Sequence, residues 1–171
     1  MTDIQTIKVY VSLGSNIGDT EDNLNQAVAR LEKYEGIDPE VWSETYETEP
    51  QGLKDQPWFK NQVVRFDVDP ELWSAEGFLS TLQAVEGQMD RVREIKNGPR
   101  PIDLDIILFG DRVIDSGSYL TVPHPRALER AFVLIPLTDI DPELVFPDGT
   151  SIADALKKID YRTEGKKIYQ D

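Results

Sequence analysis

Gly98-Pro99-Arg100-Pro101-Ile102-Asp103-Leu104-Asp105-Ile106-Ile107-Leu108-Phe109 reads as a stiffened loop running into a buried strand. Pro99 and Pro101 fix their own φ and push the residues before them into extended geometry. From Ile102 onward the apolar, β-branched residues suit a strand. Side chains alternate faces along a strand, so Asp103 and Asp105 share one face and Leu104 and Ile106 the other. Two carboxylates two residues apart on one pleated face can share hard cations. Mg²⁺ takes one or two protein carboxylates and fills its remaining positions with phosphate and water. Taken alone, the same pair also fits two aspartates facing solvent at the end of an edge strand.

Outward from this stretch, the chain alternates strand and helix patterns. Residues 7–13 have strand character, closed by the turn chemistry of Gly14-Ser15-Asn16. Asp19 or Thr20 can cap a helix whose apolar face is Leu24, Ala27, Val28, Leu31 and Tyr34, with Gly36 near its end. Residues 41–48 read as a second strand. Residues 49–57, with Pro50, Gly52 and Pro57, read as a loop, and residues 59–68 as a third strand. Phe78, Leu82, Val85 and Met89 then mark a helix over about 73–90, before the 103–109 strand. Gly110-Asp111 predicts a tight turn into a hairpin with 112–114. The tail predicts a short helix over 126–130, an apolar run over 132–137 and a last helix capped by Ser151. The order strand, helix, strand, strand, helix, strand predicts an α+β fold. It is a ferredoxin-like βαββαβ core with a mostly antiparallel sheet flanked by helices, plus a C-terminal hairpin/helix extension.

The 171 residues suit one domain, 1–171, with its own core. No apolar run approaches the roughly 18 to 20 residues that span a bilayer, and no secretory signal is visible. There are no cysteines, which removes disulfides and thiolate metal sites and fits the cytoplasm. The net charge of −14 predicts repulsion from nucleic acid and from anionic membranes. Against that background Arg91, Arg93, Lys96 and Arg100 place positive charge immediately before the aspartate pair.

The longer pattern is more specific. Gly98-Pro99-Arg100, two residues, then Asp103-Leu104-Asp105-Ile106-Ile107 resembles the signature of the 6-hydroxymethyl-7,8-dihydropterin pyrophosphokinases of folate biosynthesis. Tyr10-Val11-Ser12-Leu13-Gly14-Ser15-Asn16 resembles that family's first strand and turn. Thr48-Glu49-Pro50-Gln51-Gly52, followed by Asp55-Gln56-Pro57, resembles its pterin loop. Val122-Pro123-His124-Pro125-Arg126, followed by Glu129-Arg130-Ala131-Phe132-Val133-Leu134, resembles its second nucleotide segment.

The resemblance implies transfer of a pyrophosphoryl group from ATP to the hydroxymethyl group of the dihydropterin, releasing AMP, by a cytoplasmic monomer. It implies that Asp103 and Asp105 hold two Mg²⁺ ions, and that Arg91 and Arg93 serve catalysis. Gln83, Glu86, Arg100, Thr121, His124 and Arg130 match nucleotide-contacting positions. Thr48, Gln51, Phe59, Asn61 and Phe132 match pterin-contacting positions, with the two rings stacking on the ligand and the amide at its edge. Guanidinium forks suit phosphate oxygens at any working pH, and stacking with an edge amide suits a flat heterocycle. Three departures stand out: Tyr119 where relatives often have arginine, Phe59 where some have tyrosine, and Asn97 where many have an aromatic residue. A nucleotidyltransferase, from Gly14-Ser15 and Asp103-x-Asp105, and a silent ferredoxin-like binding module are the competing readings. In the first, the two elements stand too far apart in the chain for the usual short strand-helix unit; the second does not account for the aspartate pair, the basic segment and His124 together.

Overall fold

The structure, a computed structural model, describes residues 5–89 and 98–170. The elements run β1 (Ile7–Ser15), α1 (Thr20–Glu32), β2 (Ile37–Trp42), β3 (Tyr46–Thr48), β4 (Phe59–Val68), α2 (Ala75–Gln88), β5 (Asp103–Phe109), β6 (Ile114–Asp115), β7 (Thr121–Val122), α3 (Ala131–Ile140), α4 (Ile152–Lys157), β8 (Arg162–Glu164) and β9 (Lys167–Tyr169). Among the described residues the main sheet runs β5-β1-β4-β3-β9-β8, with β2 also pairing β4. It is a mixed sheet: β3 runs parallel to β9, while β1, β4, β5 and β2 pair antiparallel. The α+β class and the flanking helices agree with the sequence reading, and the parallel β3–β9 pairing was not legible in it.

Helices cover both faces. On one side α1 and α2 pack Leu24, Leu31, Phe78 and Leu82 against Val9, Val11, Leu13, Phe66 and Phe109. Phe78 sits edge-to-face with both Phe66 and Phe109, at centroid distances of 6.3 and 5.9 Å. On the other side α3 and α4 set Val133, Leu134, Leu137 and Ile152 on Tyr10, Val63, Ile107 and Leu108. Burial of each such Leu or Phe contributes about 1.5–3 kcal/mol. Asp19 caps α1 by accepting the Asp22 N–H, Ser74 caps α2 through Gly77, and Ser151 caps α4 through Asp154.

Several expectations are corrected. β1 continues through Ser15, because Gly14 pairs with Asn61 on one side and Asp103 on the other. The expected second strand is two strands. Pairing to β4 breaks at Ser43, whose hydroxyl accepts the Val63 N–H and donates to the Glu44 carbonyl. The turn at Gly110 exists, at φ +58°, but no β5 hairpin follows it. Ile114–Asp115 pairs instead with β7, since Ile114, Leu120 and Val122 belong to the α1/α2 core. The expected helix over 126–130 is a single 3-10 turn at Ala127–Glu129. The apolar run over 132–137 lies within helix α3 despite Pro136, because its residues bury over the second core.

Candidate active site

Three adjacent strands bring the chemistry together. In β4, β1 and β5 the residues Asn61, Gly14 and Asp103 stand side by side, and one pair further along the same face come Val63, Ser12 and Asp105. Leu104 and Ile106 point into the α1/α2 core, so both aspartates face the α3 side, as the alternation predicts. Two strand spacings put Asn61 and Asp103 about 10 Å apart at the backbone.

Glycine at position 14 is a steric requirement of this row. A Cβ there would stand 2.7 Å from Oδ1 of Asn61 and 3.5 Å from the Phe59 ring. Asn61 is buried and donates its side-chain N–H to the hydroxyl of Thr48, itself only 2% exposed. Phe59 and Thr48 are paired across β4 and β3. Thr48, Phe59 and Asn61 therefore form one cluster. Gln51, half-buried, lies in the loop after β3.

Arg100 connects this cluster to the aspartates. Its guanidinium carbon lies 4.8 Å from the Phe59 ring centroid, its Nε is 3.5 Å from Asp103, and its Nη1 donates to the Gly98 carbonyl at 2.7 Å. Arg130 lies over Phe132 at 5.3 Å. Burial lowers the Arg130 pKa, as does Arg126, and Asp105 and Asp103 oppose them. The Nε atoms of Arg100 and Arg130 are buried without a hydrogen-bond partner among the described residues. Donors held in this way beside two carboxylates suit a polyphosphate that arrives with cations.

His124 faces the same charges. Its backbone N–H donates to the Ile107 carbonyl at 3.0 Å, and its ring Nδ1 accepts the Arg126 backbone N–H at 3.2 Å. Accepting at Nδ1 leaves the proton of the neutral ring on Nε2, which is then a donor. Burial pushes its pKa down to about 4, with Arg130 helping and Asp103 opposing, so the ring is neutral at pH 7.

Three further nucleotide-matching positions, Glu86, Gln83 and Thr121, lie on α2 and β7. Glu86 is buried, and its Oε2 accepts the Leu104 N–H at 2.9 Å. It anchors the β5 edge between the two aspartates. Gln83 and Thr121 are exposed, on α2 and β7. Tyr119, in place of an arginine, is half exposed with its hydroxyl 3.1 Å from that of Ser80 on α2. Arg91 and Arg93 lie outside the described residues, as do Lys96 and Asn97. Among the described residues no cluster of three or more His, Cys, Asp or Glu could hold a metal. Two carboxylates are the protein share that a phosphate-borne Mg²⁺ needs. Sequence reasoning placed Gly14 and Asn16 in the first strand and turn and gave neither of them a role in the site.

The chain is 43% identical over 152 residues to the folic acid synthesis protein fol1 of Pneumocystis carinii; the match covers 88% of this chain and 20% of that protein. It is 44% identical over 131 residues to the 2-amino-4-hydroxy-6-hydroxymethyldihydropteridine pyrophosphokinase of Bacillus subtilis, covering 77% of this chain and 76% of that one. The fold matches a Plasmodium falciparum HPPK-DHPS crystal structure at a TM-score of 0.70 and 14% identity, over 92% of this chain and 44% of that one. The chain thus spans about a fifth of the fol1 protein and less than half of the HPPK-DHPS chain. No described helix is long and apolar enough to cross a membrane. The profile of 7,8-dihydro-6-hydroxymethylpterin-pyrophosphokinase (HPPK) matches residues 10–142, and the chain belongs to that family.

Proposed function

We propose that the chain transfers a pyrophosphoryl group from Mg-ATP to the hydroxymethyl group of 6-hydroxymethyl-7,8-dihydropterin, giving the dihydropterin diphosphate and AMP. The observation that carries this reading is the row Asn61–Gly14–Asp103, which sets an edge amide and a metal-binding carboxylate about two strand spacings apart on one face. The substrate hydroxyl oxygen attacks the β-phosphorus, and its proton is released to solvent. A P–O bond forms there, and the bond from that phosphorus to the oxygen bridging to the α-phosphate breaks, so that AMP leaves. Such transfer needs alignment and charge neutralisation more than covalent help.

Phe59 and Phe132 stack on the pterin, the Asn61 amide reads its edge, and Thr48 and Gln51 border it. Arg100 and Arg130 donate to phosphate oxygens, and Nε2 of His124 adds a neutral donor. Arg91 and Arg93 supply further positive charge to the transferring group, and Gln83 and Thr121 serve the nucleotide end. Asp103 and Asp105 would hold two Mg²⁺ ions, which when bound would neutralise phosphate charge and polarise phosphate oxygens. The antiparallel order β5-β1-β4, with β2 and β3 beyond it and α1 and α2 on one face, supports a ferredoxin-like core.

The test is product analysis with ATP, Mg²⁺ and the dihydropterin. Equal amounts of AMP and dihydropterin diphosphate are expected. Released pyrophosphate would point to nucleotidyl transfer, and no turnover to a binding module.

A further inference from the structure

The side chain of Asn16 joins segments that no strand ladder joins. Asn16 follows the last residue of β1 and is 4% exposed. Its Nδ2 donates to Oε1 of Gln56 and to the carbonyl of Pro57, each at 2.9 Å. Its Oδ1 accepts the Arg100 N–H at 2.9 Å, and its own N–H donates to the Arg100 carbonyl at 3.2 Å. Gln56 is held in turn by donating from Nε2 to the Leu53 carbonyl at 2.6 Å. Both amide hydrogens and the amide oxygen of Asn16 are used. A carboxylate of the same shape lacks the donors, and a hydroxyl has one hydrogen instead of two.

The two loops so joined lead to the two halves of the site. Pro57 stands two residues before Phe59 and four before Asn61. Arg100 stands three before Asp103. The ladders end at the Ser15–Lys60 and Gly14–Asp103 pairs. Beyond that row the backbone bond from Asn16 holds the Arg100 segment, and the Asn16 amide ties the Gln56–Pro57 loop to it.

We propose that Asn16 is a positioning residue that sets the separation between the dihydropterin and polyphosphate halves of the site, touching neither substrate. The proposal rests on the pyrophosphokinase reading above. In-line transfer is sensitive to that separation, and a misplacement of about 1 Å costs on the order of 10²-fold in rate. Each half keeps its own contacts when Asn16 is lost, so each ligand still binds. The loss falls on the chemical step.

The experiment compares wild type, Asn16→Ala and Asn16→Asp by single-turnover AMP formation. Calorimetry measures the affinity and stoichiometry of a non-hydrolysable Mg-ATP analogue and of the dihydropterin, each alone. For Asn16→Ala a single-turnover rate about 10- to 100-fold lower is expected, with both dissociation constants within about threefold of wild type and stoichiometry unchanged. Asn16→Asp keeps the oxygen for the Arg100 N–H and loses both bonds to the Gln56–Pro57 loop. It is expected to slow the same step, and it carries the test if the alanine variant does not fold. A lower stoichiometry with an unchanged rate per occupied site would make Asn16 merely structural and overturn the proposal. Losses confined to the two affinities would overturn it as well. If wild type forms AMP and both variants match its rate, the positioning role alone falls. If wild type forms none, the pyrophosphokinase reading falls first.

Discussion

Gly14 leaves the space that the Asn61 amide fills: a Cβ on Gly14 would stand 2.7 Å from Oδ1 of Asn61, a separation that side chains do not tolerate. Asn61 has little room to retreat, because its amide nitrogen is bonded to the Thr48 hydroxyl and the residue is buried. Gly14→Ala is therefore expected to displace the edge amide and leave the phosphate-facing residues in place. Dihydropterin affinity should fall by about 10- to 100-fold, the equivalent of one or two buried hydrogen bonds, while affinity for the Mg-ATP analogue stays within about twofold. Calorimetry with each ligand separately checks this. Equal losses for both would make Gly14 a general folding requirement.

Asp103 and Asp105 face the site and contribute no apolar burial, whereas Leu104 between them is a core residue. Asp103→Ala and Asp105→Ala should each cost orders of magnitude in turnover with little change in thermal midpoint. Activity titrated against Mg²⁺ is the measurement. Near-normal turnover in either variant would remove the two-ion assignment.

Glu86 accepts the N–H of Leu104 from a buried position. Glu86→Ala leaves that donor at the β5 edge without this acceptor, and should destabilise the fold by about 1–3 kcal/mol. Glu86→Gln keeps an oxygen in reach and should recover most of the stability. Urea unfolding of the two variants separates this structural anchor from a direct nucleotide contact, which would leave stability unaffected in both.

His124 has a folded-state pKa near 4 against an ordinary 6.5, with burial as the main cause. Between those values the unfolded chain holds a proton that the folded chain does not. The stability from this histidine is thus fully present above pH 6.5 and is lost as pH falls towards 4. His124→Gln removes the titration. The fall in urea midpoint from pH 7 to pH 5 should be smaller in the variant than in wild type, and an identical fall in both would contradict the burial of a neutral ring.

Local chemistry was enough to place most elements. The apolar period of Leu24, Ala27, Val28 and Leu31 marks α1, and Ser151 marks the start of α4, because caps and amphipathic faces are written within a few neighbouring residues. The shared face of Asp103 and Asp105 also follows from alternation alone, since a strand has a side-chain period of two. Order along the chain was sufficient for the family.

Partnership was decided by the tertiary structure, because it depends on residues far apart in the chain. Nothing within residues 110–122 says that Ile114 pairs with Val122 rather than with β5; burial of Leu120 and Val122 in the α1/α2 core decides it. Glu86 has the sequence context of an exposed helical residue and becomes a buried acceptor only when β5 lies beside α2. Asn16 looks like an ordinary turn residue. Its three amide bonds reach partners 40, 41 and 84 positions away, distances over which no local propensity acts and which only the packed sheet brings within 3 Å.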